Sequence, residues 1–349
     1  MLLDCPGCRL RGTRMRYVLL TLLLALVFAG APRGAAWAHE YGAGFRDLRL
    51  TDPVEGGPMP AIVFYPTSRD GGSTQIGPYS VAATRGAAPA NGAFALIVHS
   101  HGTGGNHLGH HDTLAALARA GLVAAAVQHP RDNYLDGSGF ATDLQLIGRP
   151  HHIVALIDGV LADAALGPLV DRRRIGMAGF SAGGYTTLLI AGAVPDFSLA
   201  AEYRRTVTDD PLRVRADAAG TVRRKPGLKV VSDARVRAIF VMAPALGYVF
   251  DRGGLSKVEV PVRLYRPTAD EVLLHPWNAE RIAQMLPKQP EYQLIEGAGH
   301  FVFLAPCAAV LAALVPDICK DPPGIDRAAI HARLNAEMIE FFRRTLTPR

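Results

Sequence analysis

The chain has few cysteines, no internal repeat, no block of lysine and arginine interleaved with aromatics, and no apolar run of comfortable membrane-spanning length. Each absence removes a class. Without a repeat, a solenoid or propeller built from one recurring unit is excluded. The formal charge of +6 suggests a basic protein, but five arginines and one aspartate fall within residues 1–38, leaving about +2 for the rest. With no Lys/Arg block interleaved with aromatics, nucleic acid is excluded as a partner. Of the four cysteines, Cys5 and Cys8 lie in the leader, so their C-x-x-C spacing carries no redox or metal reading for the mature chain. Cys307 and Cys319 remain, and in an oxidising compartment they are expected to form one disulfide closing a local loop, worth about 3 kcal/mol by loop entropy.

The leader itself is legible. Arg14 and Arg16 precede "YVLLTLLLALVFAG", and "AAWA" then places Ala36 and Ala38 in an A-x-A cleavage pattern. This predicts a secretory signal peptide over residues 1–38, because the run from Tyr17 to Ala29 is short for a membrane span. An uncleaved anchor is the alternative reading. Met15 offers an alternative start, since "MRYVLL" opens a signal peptide better than "MLLDCPGC" does. The mature chain, residues 39–349, is then expected to be secreted or periplasmic, with no membrane span after cleavage.

What is present in those residues is a core. The chain is 49% hydrophobic, enough for one large globular domain. "GFRDLRLTD" and "MPAIVFYPT" read as two strands joined by the turn "PVEGGP", followed by a Gly/Ser/Pro-rich loop through Asn91. Apolar strand-like runs then recur at Phe94–Val98, Leu122–Val127, Arg174–Ala178, Val236–Met242, Val260–Tyr265 and Tyr292–Ile295. Helix-like segments separate them at Asp112–Ala120, Pro150–Leu166, Ala182–Ala193, Pro276–Leu286 and Asp326–Leu346. This alternation predicts an α/β fold with a mostly parallel central sheet and helices on both faces. One polar, weakly periodic stretch, residues 195–235, breaks the pattern directly after a helix. It is expected to be an insertion over the sheet's carboxyl edge, and therefore a lid.

Within this frame Gly179-Phe180-Ser181-Ala182-Gly183 fits G-x-S-x-G. That pattern forces a sharp strand-to-helix turn, and glycines two positions either side of the serine remove side chains that would collide there. The following helix points its N-terminal amides at the serine oxygen, where negative charge develops in acyl transfer. A serine so placed needs a base and a carboxylate that fixes the base's tautomer. Asp270 follows the strand in "VPVRLYRPTADEV", and His300 follows the strand in "YQLIEGAGHFVFL", giving the chain order serine, acid, histidine. Glu271 is the rival acid, and Asp270 could instead cap a helix. The oxyanion hole is assigned to the amides of Ala182 and of Thr103, the latter in "HSHGTGG" after an apolar strand.

These pieces resemble the α/β-hydrolase superfamily, and within it the secreted dienelactone-hydrolase-like and platelet-activating-factor-acetylhydrolase-like group. The matching stretches are "FYPT", "HSHGTGG", "GFSAGG", "VMAPALG", "VPVRLYRPTADEV", "GAGHFVFLAPC" and "PDICKDPPGIDRAAIHARLNAEMIEFF", spanning residues 41–346. The resemblance implies an α/β-hydrolase fold and a cofactor-free serine hydrolase acting on small-molecule, lipid or polymer esters. Ser181 would be nucleophile, Asp270 acid and His300 base. True dienelactone hydrolases carry cysteine at the nucleophile position, so the resemblance does not extend to their substrate.

Two other readings compete. His99, His101, His107, His110, His111 and Asp112 could ligate zinc in a metal-dependent hydrolase, although the glycines among them suit a backbone-donor loop better. In the serine reading His101 braces that loop, and His107 to His111 open a surface helix. A noncatalytic binding protein on the same fold is the other alternative. Tyr185, Tyr248, Phe250 and Trp277 are possible pocket walls.

Overall fold

The computed structural model describes residues 41–68, 71–210, 212 and 225–347, all within the unit His39–Arg349. The predicted leader with Cys5, Cys8 and Met15 lies outside the described residues, as do 211 and 213–224 of the insertion.

Eleven strands are present among the described residues. β1 (Gly42–Thr51) and β2 (Pro58–Thr67) form the expected antiparallel hairpin. The following segment, expected to be loop, contains three short strands, β3 (Thr74–Ile76), β4 (Tyr79–Val81) and β5 (Thr84–Arg85). Strands of two or three residues are too short to show a period among glycines and prolines. β6 (Phe94–Ser100), β7 (Leu122–Val127), β8 (Val170–Phe180), β9 (Val236–Met242), β10 (Val262–Pro267) and β11 (Glu291–Ile295) match the predicted runs to within a few residues.

The helices are α1 (His111–Arg119), α2 (Arg149–Ala162), α3 (Ala182–Ile190), α4 (Ala200–Thr206), α5 (Arg252–Leu255), α6 (Ala279–Met285), α7 (Ala309–Leu314), α8 (Pro316–Cys319) and α9 (Arg327–Thr345). α2 is shorter than expected. The Asp163 carboxylate accepts from the Ala165 and Leu166 amides at 2.9 Å each, turning the chain where the apolar period continues. α4 lies inside the insertion, where no helix was expected.

The main sheet runs β11-β10-β9-β8-β6-β7-β2-β1-β5. β6 through β11 are mutually parallel, and β2 is antiparallel to both β1 and β7. Every residue of β6 and β7 is buried, which is why these strands read as unbroken apolar runs rather than alternating ones. One face packs on Ile153, Leu156, Ile157 and Val160 of α2 and Leu188 of α3. The other packs on Leu114 and Leu117 of α1 and on Leu334, Met338, Phe341 and Phe342 of α9.

From β6 the chain steps one way to β7, then crosses back to β8 on the other side of β6. The strand order therefore reverses between β6 and β8. At such a reversal the loops leave in opposite directions and open a crevice at the carboxyl ends of the strands. The Thr103 loop follows β6 and Ser181 follows β8, so both flank that crevice.

Candidate active site

Ser181 sits between β8 and α3 with φ +56° and ψ −119°, a conformation that costs an L-residue about 1–3 kcal/mol. The surrounding backbone holds it there. The Ser181 amide donates to the Met242 carbonyl at 2.9 Å, and its own carbonyl accepts from Tyr185 at 3.1 Å and Ala245 at 3.0 Å. The flanking glycines do what the motif requires. A Cβ on Gly179 would lie 2.2 Å from the Gly183 carbonyl oxygen, and one on Gly183 would lie 1.9 Å from that of Ser100. The second contact brings the start of α3 directly against the strand that leads into the Thr103 loop.

Among the described residues, the Ala182 and Thr103 amides donate to no protein acceptor. Both belong to segments abutting Ser181: a Cβ on Gly102 would fall 3.3 Å from the Ser181 Cβ. His101 braces this loop as expected. The His129 amide donates to His101 Nε2 at 3.1 Å, so the ring proton is on Nδ1, which donates to the Gly102 carbonyl at 2.7 Å.

β10 and β11 are adjacent and parallel, so the loops beyond them run side by side, with the Ala269 amide donating to the Ala298 carbonyl at 3.0 Å. From these loops His300 Nδ1 donates to Asp270 Oδ2 at 2.9 Å, with His300 2% exposed. Asp270 Oδ1 meanwhile accepts from the Val272 and Leu273 amides at 3.0 and 2.7 Å. The carboxylate thus caps its own turn and holds the imidazole at once. Glu271, the rival acid, accepts from the His300 backbone amide at 3.0 Å and does not reach the ring. The His300 ring lies 4.8 Å from that of Phe180, the residue before Ser181. No hydrogen bond joins the Ser181 hydroxyl to the His300 ring among the described residues. Nucleophile–base contacts are commonly loose before substrate binds.

The histidines after His101 do not open a surface helix. His110 is 2% exposed, with its ring 4.1 Å from that of His99 and 5.7 Å from that of Phe180, while His111 is buried beside Tyr79. They are buried because α1 starts beneath the crevice rather than beside it. Burial pushes His99 down to about 3 and His110 well below the ordinary imidazole value, so both are neutral bases. Their side chains are nonetheless not gathered for a metal. Among the described residues no group of three or more His, Cys, Asp or Glu is arranged to hold one.

Tyr185 and Phe250 are core, with rings 5.8 Å apart and the Tyr185 hydroxyl donating to the Leu146 carbonyl at 3.0 Å. Tyr248 stacks on Tyr203 of α4 at 3.9 Å, and Trp277 meets Tyr203 edge-on at 5.4 Å. The first part of the insertion thereby packs on the turn after β9, at the carboxyl edge of the sheet. A shallow recess, open to solvent, is lined by Arg266, Asp270, Leu273, His275 and Asn278, on the side of Asp270 rather than above Ser181. Cys307 and Cys319 form the expected disulfide. No helix among the described residues is long and apolar enough to cross a membrane.

Sequence reasoning missed the polar side chains under the Thr103 loop. Asp132, Gln145 and Arg149 are buried there, and their only sequence signal is the four-residue spacing of Gln145 and Arg149 at the entry to a predicted helix.

Strand order, the reversal between β6 and β8, and the sharp turn at Ser181 together define an α/β-hydrolase fold. Among solved structures, a ferulic acid esterase from Streptomyces cinnamoneus is similar, with a TM-score of 0.59 over 90% of this chain and 94% of that one, at 19% sequence identity. At that identity the likeness establishes the fold. No protein-family model matches the chain, and no curated protein matches it.

Proposed function

We propose that this protein is a serine hydrolase of carboxylic esters, with Ser181 as nucleophile, His300 as general base and Asp270 as the carboxylate that orients it. The observation that carries this reading is the strained Ser181 at the strand-order reversal, accompanied by a His300–Asp270 pair on adjoining loops. With Asp270 accepting from Nδ1, the proton-free Nε2 is left to take the serine proton. Ser181 attacks the ester carbonyl, and the amides of Ala182 and Thr103 receive the developing oxyanion, each worth about 3–4 kcal/mol in such sites. The alcohol leaves with the proton from His300. Water activated by the same imidazole then releases the acid through a second tetrahedral state. The chemistry draws on no metal or organic cofactor.

The fold shared with a protein named as a ferulic acid esterase supports an ester substrate, as does the resemblance to the dienelactone-hydrolase-like and platelet-activating-factor-acetylhydrolase-like group. The leader-like sequence over residues 1–38 and the Cys307–Cys319 bond support a secreted or periplasmic protein. The insertion at 195–235, whose first helix packs on the turn after β9, is the proposed lid.

The test is an ester panel of graded acyl length run on the native protein beside Ser181→Ala. The variant is expected to stay folded and to lose at least about a thousandfold in rate. A fully active Ser181→Ala protein overturns the serine mechanism.

A further inference from the structure

We infer that Gln145, with Asp132 and Arg149, forms a buried clamp that sets the position of the Thr103 loop, making Gln145 a positioning residue for the oxyanion-binding amide. The inference rests on the ester-hydrolase reading above and adds residues that no feature of that mechanism requires.

The loop cannot hold itself. Between His101 and Asn106 it contains three glycines and Thr103, and its own backbone contributes a Gly105 amide to Gly102 carbonyl bond at 3.1 Å. An amide that must receive an oxyanion has to be fixed to within about half an ångström, so its supports matter as much as its presence.

Besides His101 and the Tyr134 amide, which donates to the Gly105 carbonyl at 3.1 Å, the supports are three buried side chains. Gln145 Nε2 donates to Thr103 Oγ1 at 2.9 Å and to Asp132 Oδ2 at 2.9 Å, using both of its hydrogens. Asp132 Oδ1 accepts from the Gly104 amide at 3.2 Å. The side chain of Thr103 and the backbone of the next residue are therefore tied to the same pair. Arg149 completes the clamp from below: Nη1 donates to Asp132 Oδ2 at 3.0 Å, and Nη2 donates to Ser100 Oγ at 3.2 Å and to the His101 carbonyl. Residues on both sides of Thr103 are thus held by groups that are 0–6% exposed.

Local structure explains why Gln145 and Arg149 arrive together. The chain over Leu144–Gly148 is a π-helical turn running into α2, which puts both side chains on the face toward the loop. Gln145 Oε1 already accepts from the Ala141 amide at 2.9 Å, so the side-chain NH2 group faces Thr103 and Asp132. Burial pushes Arg149 down to about 10, with Asp132 opposing the shift, so the guanidinium keeps its charge at neutral pH.

Gln145→Met removes both donors while keeping length and volume, and Thr103→Val removes the acceptor with the backbone amide intact. Each is expected to lower kcat 10–100-fold with KM changed less than threefold, and to weaken binding of a boronic-acid mimic of the tetrahedral state by the same factor. The double variant is expected to lose no more than Gln145→Met alone, because the bond that Thr103→Val deletes is one that Gln145→Met has already removed. A merely structural Gln145 would shift the melting temperature and leave kcat and boronate affinity alone; that result, or additive losses, overturns the inference. Should Gln145→Met fail to fold, Thr103→Val reads the same bond from its other end. Labelling by a fluorophosphonate separates the two levels. A native protein unlabelled at Ser181 defeats the serine reading, whereas equal labelling rates in native protein and Gln145→Met defeat the clamp alone.

Discussion

His300 and Asp270 are thirty residues apart in the chain and meet through a single bond from Nδ1 to Oδ2 at 2.9 Å, while the adjacent Glu271 is turned onto the His300 backbone amide. Two neighbouring carboxylates thus hold the same residue at different atoms. Only the one on the ring can fix the tautomer. Asp270→Asn is expected to lower kcat by about a thousandfold or more, because an amide at that position can present its NH2 to the ring and invert the tautomer. Glu271→Gln keeps an oxygen able to accept from the amide and is expected to cost less than about tenfold. Steady-state rates on one activated ester distinguish them. Equal losses in the two variants would mean that Asp270 has no special claim on the imidazole.

The contact between Gly183 and Ser100 predicts a sharp stability effect. The methyl of Gly183→Ala would begin 1.9 Å from a carbonyl oxygen on β6, a fully buried strand that cannot retreat without disturbing both faces of the sheet. We expect a loss of about 3 kcal/mol, the upper part of the usual overpacking range. Gly72→Ala, where a Cβ meets nothing within 4 Å, is the control and is expected to be nearly neutral. Urea denaturation of the two variants checks this, and similar midpoints would show that α3 can shift off β6 at little cost.

Much of this arrangement could be read from residues alone, for a physical reason. Strands buried on both faces are mostly apolar, so β6 and β7 announced themselves, and the Ser181 elbow tolerates so few residue types that its motif is visible in one line of sequence. The Ser181, Asp270, His300 order followed from the same strand logic. Asp270 was preferred to Glu271 only because it follows the strand more directly, and the structure places Asp270 on the His300 ring and Glu271 on its backbone amide. Beyond the four-residue spacing of Gln145 and Arg149, the clamp left no trace, because its bonds join residues 13 to 49 positions apart and no periodicity encodes them. His110 and His111 were misread as surface because polar residues at a helix start ordinarily face water, and here the helix starts beneath the crevice.

Those buried histidines give the protein an acid limb. Burial holds His99 at about 3 and drives His101, His110 and His129 well below the ordinary value, with the nearby Arg149 charge adding to the effect on His101 and His129. In the unfolded chain each titrates near 6.5. Below that pH the unfolded state binds protons that the folded state refuses, so unfolding becomes easier as pH falls, and the full stability is present above the unfolded value. Each histidine contributes a slope of up to about 1.4 kcal/mol per pH unit. The melting temperature is expected to be level above pH 7 and to fall steadily from about 6.5 toward 4.5. His110→Leu, which removes one such group, should make the fall shallower. A level profile across that range would mean these rings protonate in the folded protein.

Loss of the Cys307–Cys319 bond should be felt locally rather than globally. Loop entropy values a closure of this length at about 3 kcal/mol, but that figure reaches global stability only if the loop unfolds together with the core. α7, which the bond encloses, places none of its six residues in the core, and Val310 and Leu314 are 62% and 69% exposed. The chain is tied on either side independently. Ala305 donates to the Gly109 carbonyl at 3.0 Å on one side, and Arg327 pairs with Asp321 at 2.8 Å on the other. The turn carrying His300 is held by Val302 and Phe303 in the core and by His331 Nε2 donating to the Val302 carbonyl at 2.9 Å. Cys307→Ser/Cys319→Ser is therefore expected to lower the melting temperature by no more than about 2 °C, against the roughly 5 °C that 3 kcal/mol would produce in a domain of this size. Amide exchange over residues 307–319 should rise sharply while ester hydrolysis stays within about twofold. A melting temperature lower by about 5 °C would show that α7 opens only when the whole sheet does.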